Sequence, residues 1–189
     1  IKEIFAYPLT IKIITLEEEV ILVDSIDHPI GTMGKMEAHI KGVLHRAFSV
    51  FIFTTQGELL LQQRAASKYH SGGLWTNTCC SHQRQGETTL EAATRRLNEE
   101  MGMQCEMKVM FNFMYHAHLD RGLIEHEFDH VLFGTTNDVP SPDPNEVQNW
   151  KYITMEALAN DIRTSPENYT IWLKDCFNKV YQHYENQIQ

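Results

Sequence analysis

Residues 88–102 constrain the fold more tightly than any other stretch of the chain. Thr88-Thr89-Leu90-Glu91 has the form of a capping box, in which a threonine hydroxyl and a glutamate three positions on satisfy backbone N–H groups at a helix start. Leu90, Ala93, Leu97 and Met101 then recur at helical spacing, and Gly102 suits the residue that ends a helix. At about 100° per residue, Arg96 and Glu100 fall beside this apolar stripe, whereas Arg95 and Glu99 point further toward solvent. Arg96 and Glu100 are therefore expected to face a site shared with a sheet.

The segments on either side supply that sheet. Residues 20–23 are β-branched and apolar, residues 47–55 and 58–62 read as a hairpin around Gln56-Gly57, and residues 109–117 and 124–134 read as long strands around a turn near Asp120-Arg121-Gly122. Period two puts Glu125, Glu127 and Asp129 on one face of the last strand, a row of acids that a plain core does not explain. Ser165-Pro166-Glu167 signals another helix start, after which Tyr169, Trp172, Cys176, Phe177, Val180 and Tyr184 form an apolar stripe. Residues 140–144 mark a loop. The expected architecture is a single α+β domain over residues 19–189, a mixed β-sheet core flanked by α-helices, with residues 1–18 as an N-terminal extension packing on it.

With 42% hydrophobic residues, the 189-residue chain has enough apolar material for one core. Its formal net charge of −9 argues against a general nucleic-acid binder, so a phosphate-bearing ligand must meet a local basic cluster or a metal. No stretch approaches the roughly 18 consecutive apolar residues of a membrane span, and no targeting signal is evident at either end, so a cytoplasmic location is expected. Four cysteines are too few for a disulfide scaffold in a chain this long. A reduced compartment fits them better, with at least one thiol free for chemistry.

Residues 87–103, ETTLEAATRRLNEEMGM, resemble the Nudix box, a loop and helix whose glutamates hold divalent cations against a diphosphate. Two departures stand out: Ser81 replaces the opening glycine, and Arg96 replaces the first glutamate of the helical core. A guanidinium in place of a metal-binding carboxylate should weaken multi-metal hydrolysis. Around the box, His39, LHRAFSV (44–50), RAASK (64–68), WTNTCCSH (75–82) and EHEFDH (125–130) resemble type I isopentenyl-diphosphate isomerases. That likeness runs from residue 19 to residue 184 and implies a Nudix-like sheet.

The resemblance implies a cation, Mn2+, Mg2+ or Zn2+, held by His39, His45, His82, Glu125 and Glu127. Five imidazole and carboxylate donors suit an octahedral Mn2+ or Mg2+ better than Zn2+, which prefers four. It implies a proton-transfer pair, Cys80 and Glu127, assisted by Tyr115, that moves the double bond of isopentenyl diphosphate to give dimethylallyl diphosphate through a tertiary carbocation. A Cys80 pKa lowered by His82 and the basic cluster is expected, and which of the pair protonates the alkene stays open. Trp172 is the implied carbocation-stabilising ring, although its place on an apolar stripe also suits core packing. Lys35, Arg64, Lys68 and Arg96 are the implied diphosphate clamp, with Glu100 and Cys80 holding a second ion, Mg2+ arriving with substrate. A small-molecule substrate is thus expected, with no nucleic acid, no membrane, and a monomer or weak dimer. The competing readings are a Nudix pyrophosphohydrolase and a non-catalytic diphosphate-binding protein.

Overall fold

In chain order the elements are β1 (Glu19–Val23), β2 (Pro29–Gly34), α1 (Lys35–Lys41), β3 (His45–Phe53), β4 (Leu59–Arg64), β5 (Trp75–Thr76), β6 (Cys79–Ser81), α2 (Thr89–Met101), β7 (Met107–His118), β8 (Ile124–Thr135), β9 (Val147–Ile153), α3 (Met155–Thr164) and α4 (Ile171–Ile188). The structure, a computed structural model, describes residues 18–188. Apart from Glu18, the expected N-terminal extension lies outside the described residues.

β3 organises the sheet. Its sequence, HRAFSVFIF, is buried everywhere except at Arg46, as a strand covered on both faces must be. Along one edge β8 runs parallel to it, from His45↔Glu127 to Phe53↔Thr135. Three strands share the other edge: β1 at Leu22↔His45, β6 across Phe48–Val50, and β4 only at Phe53↔Leu59. β1 continues to β2, β4 to β5 and β9, and β8 to β7, which completes one mixed sheet. The expected α+β architecture is therefore observed.

The expected hairpin between residues 47–55 and 58–62 closes only at its base. Thr78 is wedged between its two arms, where its hydroxyl accepts from the Ile52 N–H (2.9 Å) and donates to the Leu60 carbonyl (2.6 Å). Asn77 adds a bond from Nδ2 to the Val50 carbonyl (3.2 Å). The last helix also begins later than Ser165-Pro166-Glu167 suggests. Residues 166–168 form a single 3-10 turn, and Tyr169 then stays extended to bridge Trp75, with the Thr170 N–H bonded to the Trp75 carbonyl (3.0 Å).

Each face of the sheet carries a core. Phe48, Val50 and Ile52 of β3 meet Ala93, Leu97 and Met101 of α2 on one side, while Phe51 and Phe53 meet Trp172, Leu173 and Val180 of α4 on the other. Glu125, Glu127 and Asp129 share a face, as period two requires, and it continues through Val131 and Phe133 into the α4 core.

The α2 termini match the sequence reading. Thr88 and Glu91 exchange both capping-box bonds, and Gly102 is left-handed (φ 63°) with its N–H on the Asn98 carbonyl (3.0 Å). The Ser141 and Asp143 N–H groups then bond the carbonyls of Met101 and Glu100 (2.9 and 3.0 Å), which docks the 140–144 loop on the helix end. A Cβ at Gly102 would collide with the Ser141 backbone carbonyl. Gly102→Ala is therefore expected to lower stability by about 1–3 kcal/mol, read as a fall in the urea midpoint at unchanged slope.

Candidate active site

Where β4 parts from β3, the sheet, α1, α2 and α4 border a cleft with about 540 Å³ of atom-free space. Its wall carries Cys80 from β6, Glu125 and Glu127 from β8, Tyr115 from β7 and Trp172 from α4. Cys80 and Glu127 come from strands on opposite edges of β3, since Ser49 faces Cys80 and His45 faces Glu127 in the two registers.

Three fully or almost fully buried histidines converge beside Glu127. His39 lies in α1, which the sequence reading did not anticipate, and its Nδ1 is anchored on the Lys35 carbonyl (2.7 Å). His45 Nδ1 is anchored likewise on the Val43 carbonyl (2.8 Å). A carbonyl only accepts, so both imidazoles carry their proton on Nδ1 and turn an Nε2 lone pair inward. His82 Nε2 lies 3.2 Å from His45 Nε2 and 3.0 Å from Glu127 Oε1. A single His82 proton can serve both acceptors, but it leaves His39 Nε2 and His82 Nδ1 buried with no hydrogen-bond partner. Lone pairs and a carboxylate directed at one point, with a buried orphan nitrogen among them, are the donor set of a cation site. Ligand atoms of His39, His45, His82 and Glu127 lie within 4.8 Å of one another.

Glu125, the fifth expected ligand, stands slightly apart. It groups with His39 and with His70, a residue the sequence reading overlooked. Its Oε2 meets the Tyr115 hydroxyl, which also reaches Glu127 Oε2 at 2.6 Å. One phenol proton cannot be donated to two carboxylates. Burial, reinforced by the charge of Glu127, pushes Glu125 well above the usual carboxylate range, so Glu125 carries the extra proton. Burial opposes ionisation of Glu127 as well, yet hydrogen bonds and charge from His45 and His82 hold it well below that range. Burial also depresses two imidazoles: His82 falls to about 3 against the pull of Glu127, and His70 to about 2.

Cys80 differs from expectation. Burial raises its thiol, and the Arg64 charge offsets this only in part, so the group is a protonated thiol rather than a thiolate. Trp172 is 2% exposed, donates from Nε1 to Asn77 Oδ1 (3.2 Å), and has the Arg64 guanidinium 5.1 Å from its ring centroid. It serves both the core and the cleft wall.

All four expected clamp cations line the cleft. Arg64 Nε and Arg96 Nε are buried with no hydrogen-bond partner, so both are donors open to an anionic oxygen. Arg96 binds Glu100 and reaches Glu99 (2.9 Å), and Glu100 is 4% exposed and accepts from Gln62 (2.9 Å). Arg95 is as covered as Arg96, but by pairing with Glu87 (2.6 Å) on the outer side of α2. Glu146, just before β9, pairs with Lys68 and also with Arg96 (3.3 Å). Neither His70 nor Glu146 lies in a periodic segment, and RAASK stops two residues short of His70.

Residues 43–173 match the NUDIX domain family. Isopentenyl-diphosphate Delta-isomerase 2 of Aromatoleum aromaticum is 52% identical over 165 residues, covering 87% of both chains. Isopentenyl-diphosphate Delta-isomerase of Pectobacterium atrosepticum is 51% identical over 167 residues, covering 88% of this chain and 93% of its own. The chain belongs to the isopentenyl-diphosphate isomerases of the NUDIX family. At the level of fold it superposes on a crystal structure from Deinococcus radiodurans (TM-score 0.71, 20% identity, covering 87% of this chain and 99% of that one). A MutT protein from Methanosarcina mazei agrees less closely (TM-score 0.61, 14% identity, 77% and 96% coverage). Among the described residues no helix is long and apolar enough to cross a membrane.

The protonated Glu125 has a measurable consequence. A carboxyl whose pKa is raised resists ionisation, whereas a carboxylate that ligates a cation must be ionised. Uptake of a divalent cation is therefore expected to eject protons, approaching about one per ion as pH drops through the raised Glu125 value, with affinity falling over the same range. Calorimetry in buffers of different ionisation enthalpy reads that number, and a value of zero would mean that Glu125 is already ionised.

Proposed function

We propose that this chain is a metal-dependent isopentenyl-diphosphate isomerase, interconverting isopentenyl and dimethylallyl diphosphate in isoprenoid biosynthesis. The observation that carries the reading is the cleft itself. A protonated thiol and an ionised carboxylate line it from opposite edges of β3, with the unpaired Nε–H groups of Arg64 and Arg96 among the cationic residues alongside. Moving a double bond without a neighbouring carbonyl requires a proton added at one carbon and another removed elsewhere. The protonation states favour Cys80 as the donor to the terminal methylene carbon, leaving a tertiary cation, and Glu127 as the acceptor of a proton from the methylene carbon next to the cationic centre. Tyr115, hydrogen-bonded to Glu127, orients that carboxylate. In the reverse direction the two groups exchange roles.

His39, His45, His82, Glu127 and Glu125 would hold Mn2+ or Mg2+, a charge that would favour the ionised form of Glu127. Glu100, together with an oxygen of Cys80 rather than its protonated sulfur, would hold the Mg2+ that accompanies the diphosphate, with Lys35, Arg64, Lys68 and Arg96 as the diphosphate clamp. The Trp172 ring faces the cleft and stabilises positive charge there. Arg96 takes the place of a hydrolase glutamate and is engaged by Glu99, Glu100 and Glu146, which disfavours water attack at phosphorus.

Incubation with isopentenyl diphosphate, Mg2+ and Mn2+ in D2O, followed by proton and phosphorus NMR, is expected to give deuterated dimethylallyl diphosphate without free phosphate. Phosphate release would identify a pyrophosphohydrolase instead, and an unchanged substrate would leave a binding protein. Cys80→Ala and Glu127→Gln should each reduce kcat by at least about 10²-fold, the usual scale for loss of a proton-transfer group. Cys79→Ala should retain most activity, because Cys79 is packed in the α2 core and not in the cleft. Full turnover by either of the first two variants would remove the assignment.

A further inference from the structure

His70 sits in the cleft wall between β4 and β5 and is 3% exposed, yet the proposed reaction gives it no task. Its ring stacks on His39 (centroids 5.9 Å, 28°) and meets the faces of Tyr69 and Trp172 edge-on (4.4 and 5.9 Å), which fixes its orientation. Nδ1 is 3.3 Å from the Ser71 hydroxyl, so Nε2 is the free nitrogen, and it lies 3.4 Å from Glu125 Oε1.

That spacing repeats the pattern of the first cluster. Adjacent donors held about 2.1 Å from one ion sit about 3 Å apart. The pairs beside Glu127 measure 3.0, 3.2 and 3.6 Å, and the His70–Glu125 pair, at 3.4 Å, falls among them. Ligand atoms of His39, His70 and Glu125 lie within 4.8 Å of one another. The independent sign is His39, the residue common to the two groups, whose side chain is fully buried and whose Nε2 has no hydrogen-bond partner. Because His39 Nδ1 is tied to the Lys35 carbonyl, its single free lone pair serves one ion only.

We propose that His70 is a fourth imidazole ligand of the resident cation, approaching from the Glu125 side. The donor set becomes four imidazoles and two carboxylates, the six expected of an octahedral ion. The Tyr115 hydroxyl meets both Glu125 and Glu127, and His39 belongs to both groups, so the two groups adjoin through these residues. The assignment rests on the proposed cation site and adds one ligand to it.

The test loads metal-free protein with one equivalent of Co2+ and counts strongly hyperfine-shifted, exchangeable imidazole N–H resonances by proton NMR, one for each coordinated histidine. Four are expected in the wild type. Three are expected in both H70Q and H70F, the second of which preserves ring packing against Tyr69 and Trp172. Co2+ affinity, measured by chelator competition, should weaken by at least about tenfold in each variant. Stoichiometric uptake with only three shifted resonances in the wild type overturns the assignment of His70 while leaving the cation site intact. Four resonances persisting in the variants overturn it as well. Failure of the wild type to take up Co2+ overturns both readings.

Discussion

The parallel pairing of β8 with β3 is the constraint on which the site depends. It sets Glu127 beside His45 and carries Glu125, Glu127 and Asp129 to the α4 face. A slip of one residue would turn all three acids toward α2 and bury none of them usefully. The register is held by apolar alternation further along the same strands. Val50 and Leu132 pack under α2 while Phe51, Phe53 and Phe133 pack under α4, so the hydrophobic core fixes the polar chemistry at its end.

A second consequence is energetic. His39, His45, His82, Glu125 and Glu127 are all at least nine-tenths buried, and unsatisfied polar groups in such a place are costly. Backbone carbonyls satisfy one nitrogen each of His39 and His45, and aim the other inward. A cation held by these groups would thereby link its binding to the stability of this end of the fold, since it would engage groups that otherwise repel or go unpaired.

Much of this was legible in the sequence where a local rule applies. The capping box and Gly102 fixed α2 at both ends, and period two put the acids of β8 on one face. What escaped depends on distant contacts. α1 has only seven residues and no side-chain cap, yet it delivers His39. The hairpin reading failed because Thr78, distant in sequence, occupies the hydrogen-bonding edge between the two arms. The Cys80 thiol was misjudged because sequence proximity to His82 and basic residues says nothing of how completely burial removes water from sulfur. His70 and Glu146 lie outside any periodic element, and only the folded chain brings them to the cleft.

The pairing of Glu146 with Lys68 and Arg96 has a kinetic meaning of its own. Substrate and product of a double-bond shift carry the same diphosphate, so a clamp of bare cations would hold both with equal tenacity and turn over slowly. In the proposed clamp, a carboxylate already seated on two of those cations would compete with each incoming diphosphate and reoccupy them as one departs. Under the proposed clamp, Glu146 would thus be an internal exchange partner that shortens the residence of whatever the cations hold.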